Sequence, residues 1–370
     1  YAGTAPGAGP TLAAVPAFYS SFVTGTAAIM PDGTRVAIDN HVHVCQSPGN
    51  GPGTGDLCVD DGDCASNGGT CDQSLTTLFD PVDMCSDGNG GLYLMSDEGT
   101  YTDPTPGDNE RDVSVLRLTL DDGAARTGAA IVARETSGTT QLACDGFTPG
   151  NGGRLYTAEF RNVNLPACFR SEQEALVALR KSTGANEVLL PRIDAAEGLD
   201  ACNDDVDQVV DLNVTSDGIE VFASFEDAGL FQLRPAFRPI VSDIRDGFQL
   251  HPDGDIVYVT ATDGGTAGLL SVYKISPGQA ASGAPALRDL TPCAVFKVPN
   301  NRGGPSNFGR TGLGEHSYAV GRAASDTLDA TLLVSFVTTG GLSDPNPPFA
   351  PRLRIQGTVA FAMPAGLPSC

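Results

Sequence analysis

The sequence predicts an all-β fold made of repeated antiparallel units, and three observations favour this prediction. Short runs of β-forming residues follow Asp-Gly or Gly-Gly pairs, which supply the positive φ angles of tight hairpin turns. Stretches with apolar residues every three to four positions, which would predict amphipathic helices, are nearly absent. Hydrophobic residues make up 41% of the 370 residues, so the chain has enough apolar material to bury a core.

Six units of this kind recur along the chain at irregular spacing. Their predicted strands lie at 34–38, 92–95 with 113–120, 154–158, 219–225 with 229–233, 255–260 with 268–275, and 330–338 with 352–363. Repetition of short strands is typical of radial or stacked β architectures. We therefore predict a β-propeller of six or seven blades, with a disulfide-rich loop insertion after the first blade. A β-sandwich, or two β domains with hairpins, is the alternative.

The same pattern predicts the domain organisation. Residues 1–17, rich in Ala, Gly and Pro, are predicted to form a flexible N-terminal arm. Residues 18–370 are predicted to form a single propeller domain with a cysteine-rich insertion at 45–85. We expect the strand at 352–363 to pair with the N-terminal strand and close the ring, because closure removes exposed sheet edges. Residues 171–181 are the one fair helix candidate, and a turn followed by a strand is the alternative.

One unit resembles a known family. LHPDGDIVYV at 250–259, followed by LLSVYKI at 269–275, is similar to a blade of the YVTN/lactonase-like β-propellers. The other units resemble this blade more loosely. The resemblance implies the propeller fold but implies little about activity, because propellers include enzymes, binding proteins and scaffolds.

The negative net charge of the chain argues against two classes of binding partner. It carries 45 acidic and 22 basic residues, a formal net charge of −23. Such a surface repels phosphate backbones, which excludes nucleic acid as a main partner, and it disfavours binding to anionic membranes. No apolar run approaches the roughly 18 residues of a transmembrane segment. The start at Tyr1 lacks the regions of a signal peptide, so we expect an export signal to have been removed before it.

The chain contains ten cysteines, an even number, and no C-x-x-C pair, so the usual signatures of zinc ribbons, iron–sulfur clusters and haem attachment are missing. We predict disulfides formed in an oxidising compartment, and therefore a secreted, periplasmic or cell-surface protein. The predicted disulfide cysteines are Cys45, Cys58, Cys64, Cys71, Cys85, Cys144, Cys168, Cys202, Cys293 and Cys370. The segment from Cys45 to Cys85 has almost no apolar residues, so it needs disulfides to keep a fixed shape.

Acidic residues in this segment suggest a cation. Asp60, Asp61 and Asp63 offer the hard oxygen ligands that calcium prefers, which makes Ca²⁺ the one cofactor that the sequence suggests. The full EF-hand loop pattern is missing, and a solvated acidic loop held by two or three disulfides is the alternative. A second acidic cluster at 203–207 has the same two interpretations.

The four histidines of the chain are His41, His43, His251 and His316. Residues two apart on a strand point to the same face, so His41 and His43 are candidate ligands of one metal ion. Residues 34–45 form either one strand or two strands with a hairpin turn at Asp39-Asn40. Some propeller oxygenases hold one iron with four histidines from separate blades, which suggests a shared metal site here, although two of these histidines are neighbours. Four unrelated polar residues are the alternative.

Other local signals are weaker. A glycine-rich stretch contains Arg302 and Arg310, which are candidate contacts for carboxylate or phosphate groups, and a long loop is the alternative. Asn213 begins a glycosylation sequon, a short pattern that often occurs by chance. The nucleophile elbow, the zinc-protease HExxH pattern and the P-loop are missing from the sequence.

Two functions fit these observations, and whether the protein is an enzyme stays open. The first is an exported binding or scaffold module with a protein partner on the cell surface or in an extracellular assembly. The second is a metal-dependent propeller enzyme, either a lactonase-like hydrolase with calcium or zinc, or an oxidoreductase with a histidine-bound metal. The enzyme would use the four histidines, with carboxylates from Asp39, Asp253 or Glu315.

Overall fold

The computed structural model describes most of the strands and the short turns between them. The described residues are 18–22, 25–29, 35–46, 56–67, 69–79, 81–97, 112–121, 123–137, 141–162, 172–191, 193, 209–225, 228–244, 247–251, 253–262, 269–278, 284–297, 318–322, 328–340 and 353–364. No part of them forms a helix with the length and hydrophobicity that a helical membrane crossing requires.

Regular structure in the described residues is β-strand apart from short 3₁₀ segments. The strands are β1 Phe18–Phe22, β2 Gly25–Ile29, β3 Arg35–Ile38, β4 His41–Gln46, β5 Leu57–Cys58, β6 Thr70–Leu78, β7 Pro81–Ser86, β8 Gly91–Asp97, β9 Asp112–Leu120, β10 Arg126–Ser137, β11 Leu142–Cys144, β12 Arg154–Asn162, β13 Glu172–Arg180, β14 Asn186–Leu190, β15 Val209–Val214, β16 Val221–Phe225, β17 Gly229–Arg234, β18 Arg238–Val241, β19 Gln249–Leu250, β20 Ile256–Thr262, β21 Leu269–Ile275, β22 Ala294–Lys297, β23 Tyr318–Arg322, β24 Leu328–Gly340 and β25 Leu353–Pro364.

Strands that follow one another in the chain pair with each other in antiparallel sheets. Four sheets contain four strands each, in chain order: β7–β10, β11–β14, β15–β18 and β19–β22. The three-stranded sheets are β1–β3, β23–β25 and a sheet with β4 between β5 and β6. Pairing of this kind needs only tight turns, and the glycines of the predicted turns, among them Gly90, Gly152 and Gly254, have the positive φ values that such turns require.

The strands divide into two compact units. The N-terminal unit contains β1–β14 and the turn at Val214–Glu220, and the C-terminal unit contains β15–β25. In the N-terminal unit, β8 buries both of its faces. Leu92 and Leu94 belong to a cluster with Ala28 of β2, whereas Tyr93 and Met95 belong to a cluster with the sheet β11–β14. Successive side chains on a strand point to opposite faces, so the sheet β7–β10 is covered on both sides within its unit.

The C-terminal unit repeats this kind of packing. Phe222 of β16 and Leu230 of β17 are buried together with Ile256 and Tyr258 of β20 and Tyr273 of β21. The sheets β15–β18 and β19–β22 therefore share one apolar core. Burial on both faces explains why the predicted strands are near-continuous apolar runs rather than alternating ones.

The first strands of neighbouring four-stranded sheets are linked by buried aspartates. The carboxylate of Asp83 on β7 accepts a hydrogen bond from the backbone N–H of Leu142, at the start of β11. In the C-terminal unit, the carboxylate of Asp211 on β15 accepts the backbone N–H of Phe248, next to β19, at 2.7 Å. In the N-terminal unit, the Cys85–Cys144 disulfide adds a covalent link between β7 and β11. In each unit, these contacts thus fix the distance between two neighbouring sheets at their first strands.

The all-β class is confirmed, and each strand predicted from the six repeated units has a counterpart among the described strands. β24 and β25 pair along their length, as predicted for 330–338 and 352–363. The helix candidate at 171–181 is wrong, because Glu172–Arg180 forms β13 and pairs with β12 over nine residues. Its acidic start and basic end are favourable at helix termini, but strand pairing and burial outweigh this local preference. Residues 1–17 lie outside the described residues, and ring closure stays a prediction.

We expect the Cys85–Cys144 disulfide to contribute more stability than the disulfides of shorter loops. Its cysteines are 59 residues apart, and those of Cys58–Cys71 are 13 apart. Loop-closure entropy then predicts a loss of about 4 kcal/mol for Cys85→Ser/Cys144→Ser and about 3 kcal/mol for Cys58→Ser/Cys71→Ser. Urea unfolding followed by fluorescence measures both losses, and a larger loss for the short loop would contradict the prediction.

Two glycines with similar backbone conformations provide a test of packing at the turns. Gly184 and Gly152 both have positive φ, but a Cβ at Gly184 would lie 2.1 Å from the carbonyl oxygen of Val132, whereas a Cβ at Gly152 would meet nothing within 4 Å. We expect Gly152→Ala to cost about 1 kcal/mol from the φ angle alone, and Gly184→Ala about 2 kcal/mol more. Thermal unfolding of the two variants measures the difference, and equal midpoints would show that the Val132 carbonyl imposes no constraint.

Candidate functional site

A small sheet held by two disulfides contains several of the residues that the sequence singles out. We call β4, β5, β6 and the 3₁₀ segment Asp61–Asn67 the disulfide-linked sheet. Its disulfides are Cys45–Cys64 and Cys58–Cys71, and all four cysteines are buried against one another. Since the segment has few apolar residues, these sulfurs form its interior.

The sulfurs of Cys45, Cys58 and Cys64 lie within 4.8 Å of one another. Such proximity is typical of a thiolate metal site, but each sulfur here belongs to a disulfide, and a disulfide sulfur is no thiolate ligand. Among the described residues this is the only group of three or more cysteine, histidine or acidic side chains that is so close together. The cluster therefore serves as the core of the sheet.

The acidic residues of the disulfide-linked sheet bind backbone amides. One carboxylate oxygen of Asp63 accepts the N–H of Val59 at 2.7 Å, and Asp60 accepts the N–H of Gly62 at 2.7 Å. Asp61 accepts the N–H of Cys71 at 2.9 Å. These hydrogen bonds hold the loop to its own backbone, and calcium binding at this loop stays a prediction.

His41 and His43 lie on β4, the central strand of the disulfide-linked sheet. Neither arrangement predicted for residues 34–45 is found, because β3 pairs with β2 whereas β4 pairs with β5 and β6. Asp39 and Asn40 therefore connect two sheets. The Nδ1 atom of His41 lies 2.9 Å from a carboxylate oxygen of Asp39, and the Nδ1 atom of His43 lies 3.3 Å from the carbonyl oxygen of Leu75.

Strand β6 has a bulge that faces solvent. His43 pairs with Thr76 and the next residue, Val44, pairs with Asp72, so residues 73–75 have no partner on β4. Asp72 accepts hydrogen bonds from the backbone N–H and the hydroxyl of Ser74, which close the bulge. The side chain at its end, Leu75, is 45% exposed, one of the few large apolar residues on the described surface.

His251 belongs to a different site in the C-terminal unit. Its ring is buried, and its Nδ1 lies 2.6 Å from a carboxylate oxygen of Asp253. The other carboxylate oxygen of Asp253 lies 2.6 Å from Nζ of buried Lys274. Burial alone would raise the pKa of Asp253, but hydrogen bonds from Lys274, the Asp255 N–H and His251 outweigh it and lower that pKa. The group therefore holds the turn between β19 and β20 as an ionic network.

The structure thus places His41 next to Asp39 and His251 next to Asp253, four of the residues that the sequence analysis named as candidates for an enzyme site. His41 and His43 belong to the N-terminal unit and His251 to the C-terminal unit. A four-histidine metal site stays a prediction. The predicted residues His316, Glu315, Arg302, Arg310, Cys168, Cys202 and Cys370, and the cluster at 203–207, lie outside the described residues. Cys293 is disulfide-bonded.

The sequon at Asn213 is occupied by structural contacts. Its side-chain amide donates hydrogen bonds to the carbonyl oxygen of Phe248 at 2.9 Å and to Asp211 at 3.2 Å. N-glycosylation would attach the glycan to this same amide nitrogen. The folded chain therefore offers no free glycosylation site at Asn213.

The sequence analysis missed the charged side chain that is most buried among the described residues. Lys181 follows β13, and its Nζ donates to the carboxylate and the carbonyl of Asp145 at 2.9 and 2.7 Å and to the carbonyl of Phe147 at 2.8 Å. The ammonium also lies 5.1 Å from the centre of the Tyr93 ring. Burial lowers the pKa of Lys181, and the hydrogen bond to Asp145 opposes this shift. All three donors of the ammonium are used, so the site is structural.

One sequence signal points to this site. Gly152-Gly153 is a predicted turn, and each of its two positions requires glycine for a different physical reason. Gly152 has a φ of +79°, and a Cβ at Gly153 would lie 2.2 Å from the Phe147 carbonyl and 2.9 Å from the Lys181 stem. The second glycine therefore leaves room for the lysine.

Comparisons with known proteins leave the function open. No protein-family model matches the chain, and no curated protein matches it. A solved structure titled as a complex of KlAtg21 with the coiled coil of AgAtg16 has 12% identity and a TM-score of 0.37, covering 78% of this chain and 72% of that one. A quinoprotein alcohol dehydrogenase-like protein from Bacteroides thetaiotaomicron has 12% identity and a TM-score of 0.30, covering 70% and 61%. At these TM-scores neither likeness bears on the activity or partners of the chain.

Removing one member of the Lys181–Asp145 pair should be far more costly than removing both. We expect Lys181→Met or Asp145→Asn alone to lower the free energy of unfolding by about 3–5 kcal/mol, because a buried group then loses its partner. The double variant should recover a large part of this loss. Urea unfolding of the three variants gives the coupling free energy, and additive losses would contradict a paired role.

Proposed function

We propose that the chain is an exported β-propeller that acts as a protein-binding module and contacts its partner through the disulfide-linked sheet. The observation that carries the proposal is the solvent-facing bulge of β6, with Leu75 at its end, on a sheet that two disulfides make rigid.

The strand pairing supports the propeller. Four-stranded antiparallel sheets in which each strand pairs with the next in the chain are typical of propeller blades. The units contain four such sheets among the described residues, and neighbouring sheets share apolar cores within each unit. The linked first strands, β7 with β11 and β15 with β19, fit blades whose first strands lie side by side.

The disulfides support export. The described residues contain Cys45–Cys64, Cys58–Cys71 and Cys85–Cys144, and disulfides of this number persist in oxidising compartments. A stable disulfide core also suits a sheet that is displayed outside the cell, where no reducing system keeps thiols free.

The binding role rests on rigidity and on exposed apolar surface. Association costs conformational entropy when a contact loop has to become ordered. The bulge at 73–75 avoids part of this cost, because Asp72 and two disulfides already fix its base. Leu75 supplies apolar area that a partner can bury, and the polar side chains around it suit the rim of an interface.

Site-specific photo-crosslinking tests the proposal. A photoreactive amino acid replaces Gln73, which is exposed in the bulge, and in a matched control it replaces Val188, which is 40% exposed on β14. We expect a discrete crosslinked partner at position 73 on the native cell surface, at several times the yield at position 188.

The second arm of the experiment uses Leu75→Asp in the protein labelled at position 73. Loss of the apolar contact should reduce the affinity about tenfold and remove most of the crosslink. Because Leu75 is exposed, we expect Leu75→Asp to leave the melting temperature unchanged. This measurement is the control that the variant is folded. Equal crosslinking at positions 73 and 188, or no effect of Leu75→Asp, would refute the disulfide-linked sheet as the contact surface.

A further inference from the structure

We propose that His41 and His43 form a binding site for a divalent transition-metal ion of the zinc class on the face of β4 opposite buried Val42. The proposal does not rest on the protein-binding role, and it differs from the predicted four-histidine site because it needs only these two histidines.

The hydrogen bonds of the two rings determine which nitrogen is available. A backbone carbonyl only accepts hydrogen bonds, so the Nδ1 atom of His43, 3.3 Å from the Leu75 carbonyl oxygen, carries the proton. An ionised carboxylate also only accepts, so the Nδ1 atom of His41, 2.9 Å from Asp39, carries its proton as well. In both neutral rings the lone pair is then on Nε2.

This arrangement is the one found around metal-binding histidines. Such a histidine usually donates its second ring N–H to a carboxylate or a backbone carbonyl, which fixes the tautomer and raises the basicity of the other nitrogen. His41 has the carboxylate of Asp39, and His43 has the carbonyl of Leu75. Neither Nε2 atom has a hydrogen-bond partner among the described residues.

The strand places the two rings on one side. Residues two apart on a strand have the same orientation and lie roughly 6.6 Å apart at Cα, a span that two imidazole side chains bridge with one ion. Val42 between them points to the opposite face of β4, where it is buried in an apolar cluster with Phe79 and Leu92. The side chain of His41 is 55% exposed, which gives an ion direct access from solvent.

Two carboxylates next to the rings add negative charge. The carboxylate of Asp39 lies 2.9 Å from Nδ1 of His41 and 3.8 Å from the guanidinium of Arg126. Asp72, whose carboxylate is held by the hydroxyl and the backbone N–H of Ser74, pairs with Val44, the residue next to His43. A cation at the imidazoles is therefore attracted by both carboxylates.

The chemistry of the donors selects the class of ion. Imidazole nitrogen suits zinc, copper and nickel, whereas calcium prefers carboxylate and carbonyl oxygen. Two imidazoles leave coordination positions for water or for a group from outside the chain. The site is thus open, unlike a closed structural zinc site with four protein ligands.

Isothermal titration calorimetry with Zn²⁺ tests the proposal on the chelator-stripped, desalted full chain. We expect one ion per chain, with an affinity at least tenfold weaker in His41→Ala and in His43→Ala. The double variant should be hardly weaker than either single variant, because each ring depends on the other for chelation. Asp60→Asn, in the neighbouring acidic loop, is the matched control and should bind as the wild type does.

Asp39→Ala tests the positioning role of the carboxylate. We expect the zinc affinity to fall about tenfold with the stoichiometry unchanged, and the zinc-free melting temperature to stay the same. A merely structural role would move the melting temperature instead.

A spectroscopic arm avoids dependence on the folding of variants. In wild-type protein with ¹⁵N-labelled histidine, Zn²⁺ should shift the Nε2 resonances of two of the four histidines. Undiminished zinc affinity in His41→Ala/His43→Ala, loss of binding in Asp60→Asn, or no zinc-dependent shift at His41 and His43 would each overturn the proposal.

Discussion

The first strand of each four-stranded sheet depends on a polar contact that an apolar core cannot provide. Such a strand is an edge, and its outward backbone N–H groups need acceptors when a neighbouring sheet buries them. Asp83 and Asp211 supply those acceptors for Leu142 and Phe248, and both carboxylates are themselves buried. Without the carboxylate, each buried N–H would cost about 1–3 kcal/mol. The contact sets the spacing of the sheets, and the spacing determines how closely the shared cores pack.

The two aspartates occupy the same place in the repeat. Each lies four residues before a residue whose backbone N–H closes the next turn. Asp83 lies four residues before Asp87, which donates to the Gly91 carbonyl. Asp211 lies four residues before Thr215, which donates to the Glu220 carbonyl. Immediately before β11 the same place is taken by buried Gln141. The hydrogen-bonding role of Asp83 is thus repeated by Asp211, whereas the residue type at this place differs between the sheets. For this reason a search for repeated letters finds the turns but not the contacts between sheets.

The sequence predicts those features that depend on a few adjacent residues. Asp-Gly and Gly-Gly turns and the apolar runs after them placed β8, β12, β16 and β20, because turn chemistry and strand propensity are local. The disulfide pairing and the Lys181–Asp145 contact bring together residues far apart in the chain, and no spacing encodes such pairs. Asp39 and Asn40 show the same limit. The residues favour a turn, but β3 and β4 belong to different sheets, and the Asn40 side chain between them donates to the distant Phe79 carbonyl at 2.6 Å.

The disulfide-linked sheet is stabilised in a different way from the large sheets. The large sheets are rigid because both faces are buried, which leaves few of their central side chains for recognition. The disulfide-linked sheet contributes Val42 to an apolar cluster, but its own interior is made of cysteine sulfurs, and two covalent bonds replace a larger apolar core. Its histidines, carboxylates and the bulge with Leu75 are therefore free of core packing while their backbone stays fixed. A surface with a fixed backbone and unburied polar side chains is the part of this chain best suited to bind an ion or a protein.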